Sequence, residues 1–162
     1  MIELILVRHA KSDWDDPRLA DHDRPLNARG RSDAPVMAAR LAGHLRSPSP
    51  PQGRPERIVS STALRARTTA AVFSDALGVD LELDERLYGA SARTLWETAA
   101  ASGASSLLLV AHNPGMTVLA EALSDGGIAH MPTCAVARFR WDDDDWEVAA
   151  SLPARWELET PR

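Results

Sequence analysis

Two arginines and two histidines in this chain have the types and placement that phosphoryl chemistry needs. Arg8 and His9 stand where the apolar run Ile2 to Val7, broken only by Glu3, stops. Arg65 opens the helical pattern that follows a second short run, Arg57 to Ser60, and His112 comes directly after a third, Leu107 to Ala111. In an open α/β sheet, ligands bind in the crevice beyond the carboxyl ends of the strands. Helix N-termini aim unpaired N–H groups at the same place. If these strands run parallel, all four side chains fall on one edge. Two guanidiniums and two imidazoles there would hold a small, doubly charged anion, and phosphate fits best. One unit-charge pair at about 4 Å supplies roughly 4 kcal/mol of gross attraction at an effective dielectric near 20, before desolvation is subtracted. An arginine fork bonds two phosphoryl oxygens at once. A neutral imidazole can attack phosphorus through one ring nitrogen while the other donates to a fixed acceptor. A second imidazole opposite it can donate to oxygens that gain charge in the transition state. An arginine at a strand end is ordinarily a solvated surface residue; the joint occurrence of four such groups carries the reading.

The elements that must position these groups follow from periodicity. Residues 2–7 read as a strand covered on both faces. Residues 10–26 are polar and Asp-rich, with Pro17 and Pro25, and form a long loop over the end of that strand. Asn27 is a good N-cap, and Met37, Leu41 and Leu45 recur at i, i+4, i+8. Pro35 either kinks this helix or belongs to the first turn of a fresh one capped by Asp33. Ser47 to Pro55 is a surface connection. Ala66, Ala70, Phe73 and Leu77 mark the next helix, which Gly78 ends. Val79 to Leu83 alternates like a short half-buried strand, and residues 91–102 form a weaker, Ala-rich helix. His112-Asn113-Pro114-Gly115 follows the Leu107–Ala111 strand and opens a helix, with Pro114 first, that runs to about Leu123. Cys134 to Trp141 and Trp146 to Leu152 read as a hairpin around four aspartates, Asp142 to Asp145, in a solvated turn. Alternating strands and helices closed by a hairpin predict a mainly parallel α/β sheet with antiparallel edge strands.

Composition narrows the function classes. The chain has 162 residues, 44% hydrophobic and 25% charged, as expected of one domain over 1–162 with a real core. A net charge of −5 argues against nucleic-acid or membrane-surface partners. No apolar run is long enough to span a bilayer, and the start Met1-Ile2-Glu3-Leu4 is not a signal peptide. With Cys134 as the single cysteine, an intrachain disulfide is impossible and a cysteine-based metal site is unexpected. A cytoplasmic, metal-independent protein without a cofactor is the resulting expectation. Of the other histidines, His22 could edge the pocket, His44 reads as surface, and His130 has no evident partner.

Five ordered segments carry a family resemblance: Leu6-Val7-Arg8-His9-Ala10-Lys11-Ser12, Asp23-Arg24-Pro25-Leu26-Asn27-Ala28-Arg29-Gly30, the run Ser60 to Ala70, His112-Asn113-Pro114-Gly115, and Pro132-Thr133. Together they resemble the histidine phosphatase superfamily with its RHG signature, in the short branch of SixA-type phosphohistidine phosphatases. The resemblance implies a three-layer α/β/α, phosphoglycerate-mutase-like fold. It also implies a covalent phosphohistidine on His9, with Arg8, Arg65 and His112 binding the phosphoryl group; Lys11, Ser12 and Asn113 are expected to bind phosphate or substrate beside them. Asp84-Glu85-Arg86-Leu87-Tyr88-Gly89 is similar to the mutase segment that carries a proton-donating glutamate, which would make Glu85 the general acid. The alternative for Glu85 is a surface carboxylate paired with Arg86. The implied substrate is protein phosphohistidine, for instance on a histidine phosphotransfer protein. Its imidazole leaving group, with an unperturbed pKa of about 6.5, needs less protonation than a sugar alkoxide. A small-molecule phosphomonoesterase and a non-catalytic phosphate-binding module are the alternatives. Mutase activity is disfavoured because no insertion is available to cover a reorienting substrate.

Overall fold

The computed structural model describes residues 1–46 and 53–162, so residues 47–52 of the connection expected over Ser47 to Pro55 lie outside the described residues. The elements in chain order are β1 (Ile2–Arg8), α1 (Ala28–Leu45), β2 (Arg57–Ser60), α2 (Leu64–Leu77), β3 (Leu81–Leu83), α3 (Ala92–Ala100), β4 (Ser106–Ala111), α4 (Gly115–Leu123), β5 (Val136–Trp141), α5 (Trp146–Ala149) and β6 (Arg155–Glu159). One sheet joins the strands in the order β3-β2-β4-β1-β5-β6. The first four are parallel, while β5 runs antiparallel to both β1 and β6.

The period of two along β1 sorts its residues between two cores. Ile2, Leu4 and Leu6 pack with Leu107, Leu109, Phe139 and Trp141 under α3, α4 and α5. Ile5 and Val7 pack with Ile58, Leu108 and Val110 under α1 and α2. The result is the three-layer α/β/α architecture, each fully buried Leu or Ile contributing about 1.5–3 kcal/mol. Glu3, the one charge in the run, is itself buried and accepts from Arg138 Nη2 at 3.1 Å. Burial pushes its carboxyl above the ordinary value, with Arg138 opposing.

Three local readings are revised. Helix α1, capped by the Asn27 side chain on Gly30 N at 2.9 Å, runs unbroken through Pro35. Asp33 caps nothing; it is buried and accepts from Arg162 Nη1 at 2.7 Å. Pro114 is the N-cap of α4, and the helix starts at Gly115. The second hairpin strand is Arg155–Glu159, because Trp146 to Ala149 forms a helical turn instead. Asp145 caps that turn on Glu147 N, and Trp146 and Ala149, three residues apart, bury on one face. The four aspartates lie in a surface turn where Asp142 takes Arg155 (2.7 Å) and Asp144 takes the N-terminal amine (2.5 Å).

Two glycines set the walls of the sheet edge. A Cβ on Gly30 would lie 2.2 Å from the Lys11 carbonyl, and one on Gly115 would lie 2.1 Å from the Ala90 carbonyl. Only hydrogen fits at either place. The starts of α1 and α4 are thereby pressed against the loops that follow β1 and β3.

Candidate active site

β1 and β4 are neighbours, yet the helices that follow them cover opposite faces: α1 packs on one core and α4 on the other. Their carboxyl ends therefore flank a topological switch point, where a crevice opens in such sheets. His9 and His112 occupy it. The His9 N–H donates to the Ala111 carbonyl at 3.1 Å, and the two imidazole centroids are 5.1 Å apart.

His9 is 7% exposed, and its Nδ1 lies 2.7 Å from the Ala10 carbonyl. A carbonyl only accepts, so Nδ1 carries the proton and Nε2 keeps its lone pair. Burial lowers the His9 pKa to about 3; the Ala10 carbonyl opposes this, and His112, Arg65 and Arg8 add to it. At neutral pH the ring is uncharged. Its backbone is held too: the N–H of Ala10 donates to Thr69 Oγ1 at 3.0 Å, and that hydroxyl donates to the Arg65 carbonyl at 2.8 Å. The first turns of α2 are thus tied to the residue after His9.

His112 is equally buried, with Nε2 2.7 Å from Ser61 Oγ. Ser61 Oγ also receives the N–H of Ala63 at 3.2 Å. With that donor in place, the serine hydroxyl is suited to donate to Nε2, which puts the imidazole proton on Nδ1. That atom is buried and has no partner among the described residues. Burial, reinforced by the Arg65 charge, lowers the His112 pKa to about 4.

The arginines differ in their anchoring. Arg8 is partly buried and spends Nη1 on the Met131 carbonyl at 3.0 Å, its Nε without a partner among the described residues. Arg65 is buried and gives Nη1 to the Asp21 carbonyl (2.7 Å) and Nη2 to Asp21 Oδ2 (2.9 Å). Asp21 begins a short 3₁₀ turn, Asp21–Asp23, in the long loop after β1. Its carboxylate also accepts Arg24 Nη1 at 2.7 Å and the Tyr88 hydroxyl at 2.6 Å. The Tyr88 hydrogen bond, with Arg65 and Arg24, lowers its pKa to about 2 against the opposing effect of burial. Tyr88 then leans edge-on against both His22 and His112, at 4.9 and 5.5 Å between centroids.

All four residues expected at the sheet edge are therefore grouped there. His22 edges the crevice as anticipated, its Nε2 2.8 Å from Thr62 Oγ1. Ser12 is buried, and its hydroxyl accepts from Arg24, whose guanidinium also stacks 3.2 Å from the exposed Trp14 ring centroid. Asn113 bonds the Met131 carbonyl (3.2 Å) and the Thr117 backbone N–H (3.1 Å). Lys11 is partly exposed, and its carbonyl accepts from Asn27 N at 3.0 Å. Glu85 is exposed at the start of a 3₁₀ turn beyond β3. Its imagined partner Arg86 binds Asp84 instead, at 2.7 Å. His44 lies elsewhere, beside Glu159 at 3.1 Å, and His130 is exposed. Asp21, Tyr88 and Ser61 were not singled out from sequence. Tyr88 and Ser61 sit inside quoted segments, but nothing distinguishes Asp21 from Asp13, Asp15, Asp16 and Asp23 in the same loop.

The depressed histidine pKa values give a stability prediction. Below pH 6.5 the unfolded chain takes up a proton at His9 that the folded chain refuses until about pH 3. The His9 contribution to stability therefore falls as pH drops through that window. The Tm of the wild-type protein minus that of His9→Asn should decrease steadily from pH 7 to pH 4 without phosphate. A difference that stays constant or grows would contradict a neutral, buried imidazole.

Among the described residues, no helix is long and apolar enough to cross a membrane, and no three His, Cys, Asp or Glu are grouped to hold a metal ion. The model of the histidine phosphatase superfamily (branch 1) matches residues 4–92. A chloroplastic protein of Arabidopsis thaliana is 31% identical over 96% of this chain and 75% of its own length. A protein of Mycobacterium tuberculosis is 35% identical over 83% of this chain and 86% of its own. The crystal structure of a protein from Agrobacterium tumefaciens, assigned as the phosphohistidine phosphatase SixA, superposes with a TM-score of 0.76 at 31% identity. It covers 97% of this chain and 94% of that one.

Proposed function

Because this chain belongs to the histidine phosphatase superfamily, we propose that it is a phosphatase that hydrolyses protein phosphohistidine through a covalent phosphohistidine on His9. One observation carries the reading: His9 is held neutral, with Nε2 unprotonated, among Arg8, Arg65 and His112. In the first step Nε2 attacks phosphorus in line and the bond from phosphorus to the substrate nitrogen breaks. The departing imidazole leaves neutral with the proton already on its other ring nitrogen, or takes one from Glu85. Arg8, Arg65 and Nδ1–H of His112 receive the equatorial oxygens. In the second step water attacks phosphorus, the P–Nε2 bond of phospho-His9 breaks, the water proton passes to solvent, and orthophosphate leaves with neutral His9 restored. No metal or cofactor enters either step.

Ser12 and Asn113 serve this reading by holding the walls, since their side chains are engaged by Arg24 and by Met131 and Thr117. Lys11 stays a candidate for contacting the substrate from the rim. Tyr88, which leans on His112, is itself solvent-exposed, which suits a phosphoryl group that protrudes from a larger molecule. A cytoplasmic location belongs to the same proposal, in keeping with a single, buried cysteine, Cys134.

A substrate panel without added metal tests the proposal. Phosphohistidine protein should be turned over with a higher kcat/KM than sugar or nucleotide phosphates; the reverse order would make the chain a small-molecule phosphomonoesterase. Glu85→Gln divides the cases further. If Glu85 is the acid, its loss should be small for phosphohistidine and about 10²-fold or more for alkyl phosphates, within the range of general acid catalysis. Equal losses on every substrate would remove Glu85 from the chemistry.

A further inference from the structure

The Asp21 carboxylate is bonded to the guanidinium that the proposed mechanism uses to receive the phosphoryl group. We propose that Asp21 is a positioning residue and a resident counter-anion: it orients the Arg65 fork and, through its charge, weakens the grip on orthophosphate so that product leaves. The inference rests on the phosphatase reading only for the identity of the product.

The geometry separates this role from simple loop stapling. Asp21 takes Nη1 through its carbonyl and Nη2 through Oδ2, so two of the five N–H groups of Arg65 are committed to it. The carboxylate is held by three different segments: Arg65 on α2, Tyr88 beyond β3, and Arg24 in its own loop. It cannot turn away when an anion arrives without breaking the Tyr88 and Arg24 hydrogen bonds. Its negative charge, maintained down to about pH 2, therefore stays beside the bound phosphoryl group. The need for such a charge follows from the reaction. Orthophosphate resembles the transferred group closely, so a site with two arginines and nothing to offset them would bind product as firmly as substrate. A fixed carboxylate bonded to Arg65 keeps the fork aimed while reducing the net positive charge.

Orthophosphate binding by isothermal titration calorimetry tests this, on the full chain at neutral pH, for the wild type, Asp21→Asn, Asp21→Ser and Asp21→Glu. Removing a like charge a few ångströms from the anion should tighten orthophosphate binding by on the order of tenfold or more in both neutral variants. Asp21→Glu, which keeps the charge, should restore weak binding. In turnover assays, orthophosphate should become a stronger competitive inhibitor of Asp21→Asn by the same factor. A purely structural Asp21 predicts the opposite sign: the neutral variants would lose Arg65 alignment and bind orthophosphate more weakly, which would overturn the proposal. Unchanged affinity would overturn it too. Asp21→Ser gives the reading if Asp21→Asn misfolds. Tightened binding in a chain without turnover would retain the proposal for Asp21 and reject the phosphatase reading alone.

Discussion

Substituting alanine for His9 is expected to reduce phosphohistidine turnover by about 10⁴-fold or more, the scale seen when a covalent nucleophile is removed. No other group in the crevice can replace it. The Nε2 of His112 is engaged with Ser61, and Tyr88 donates its hydroxyl to Asp21. The fold should survive. His9 is neutral in the folded chain, so its removal strands no charge, and its side chain gives up one hydrogen bond, to the Ala10 carbonyl. That loss costs about 1 kcal/mol, in part regained by water entering the emptied site. Rapid acid-free quenching after exposure to labelled substrate should yield an acid-labile, alkali-stable phosphoprotein in the wild type and none in His9→Ala. Circular dichroism would verify the fold. Substantial turnover in a folded His9→Ala protein would sink the covalent mechanism. Orthophosphate binding by a wild type that never becomes labelled would instead favour a non-catalytic phosphate-binding module.

Replacing Arg65 by alanine should lower kcat/KM by about 10³-fold, the upper end of what the loss of a single transition-state donor costs. Two effects act in the same direction. The phosphoryl group loses a buried fork that bonds two oxygens at once. Asp21 loses one of its two guanidinium partners, keeping Arg24, so less of its negative charge beside the incoming anion is offset. Arg65→Lys should recover little, because an ammonium cannot hold both the Asp21 pair and two phosphoryl oxygens. The two effects can be separated by a double substitution. Adding Asp21→Asn to Arg65→Ala should regain part of the lost kcat/KM, since the repulsion disappears although the fork is still missing. Strictly additive losses in the double variant would show that Asp21 and Arg65 act independently, contrary to their contact at 2.9 Å.

The placement of Arg8, His9, Arg65 and His112 was legible because it depends on short-range patterns. A short, nearly continuous apolar run flanked by polar segments suits a strand covered on both faces, and in open α/β sheets ligands bind beyond the carboxyl ends of such strands. Residues at the ends of β1 and β4 and in the first turn of α2 therefore had to meet once the strands were parallel. The Asn27 cap and the Gly78 stop were readable for similar local reasons. The second strand of the hairpin was not. Trp146 to Leu152 is apolar enough for a strand, but the Asp145 cap and the burial of Trp146 against the Ala104 carbonyl, at 2.9 Å from its indole nitrogen, favour a helical turn. That partner lies 42 residues away and does not show in any local window.

What the sequence determined by itself was the kind of groups brought together: two imidazoles and two guanidiniums at the carboxyl edge of the parallel strands. What only the tertiary structure decided was the state of those groups. Depressed pKa values at His9 and His112 come chiefly from desolvation, which depends on atoms packed around the rings from both cores. The selection of Asp21 from five loop aspartates comes from Arg65 and Tyr88, 44 and 67 residues along the chain. Periodicity governs which side chains share a face. Charge and proton affinity depend on distance in space, and only folding sets that distance.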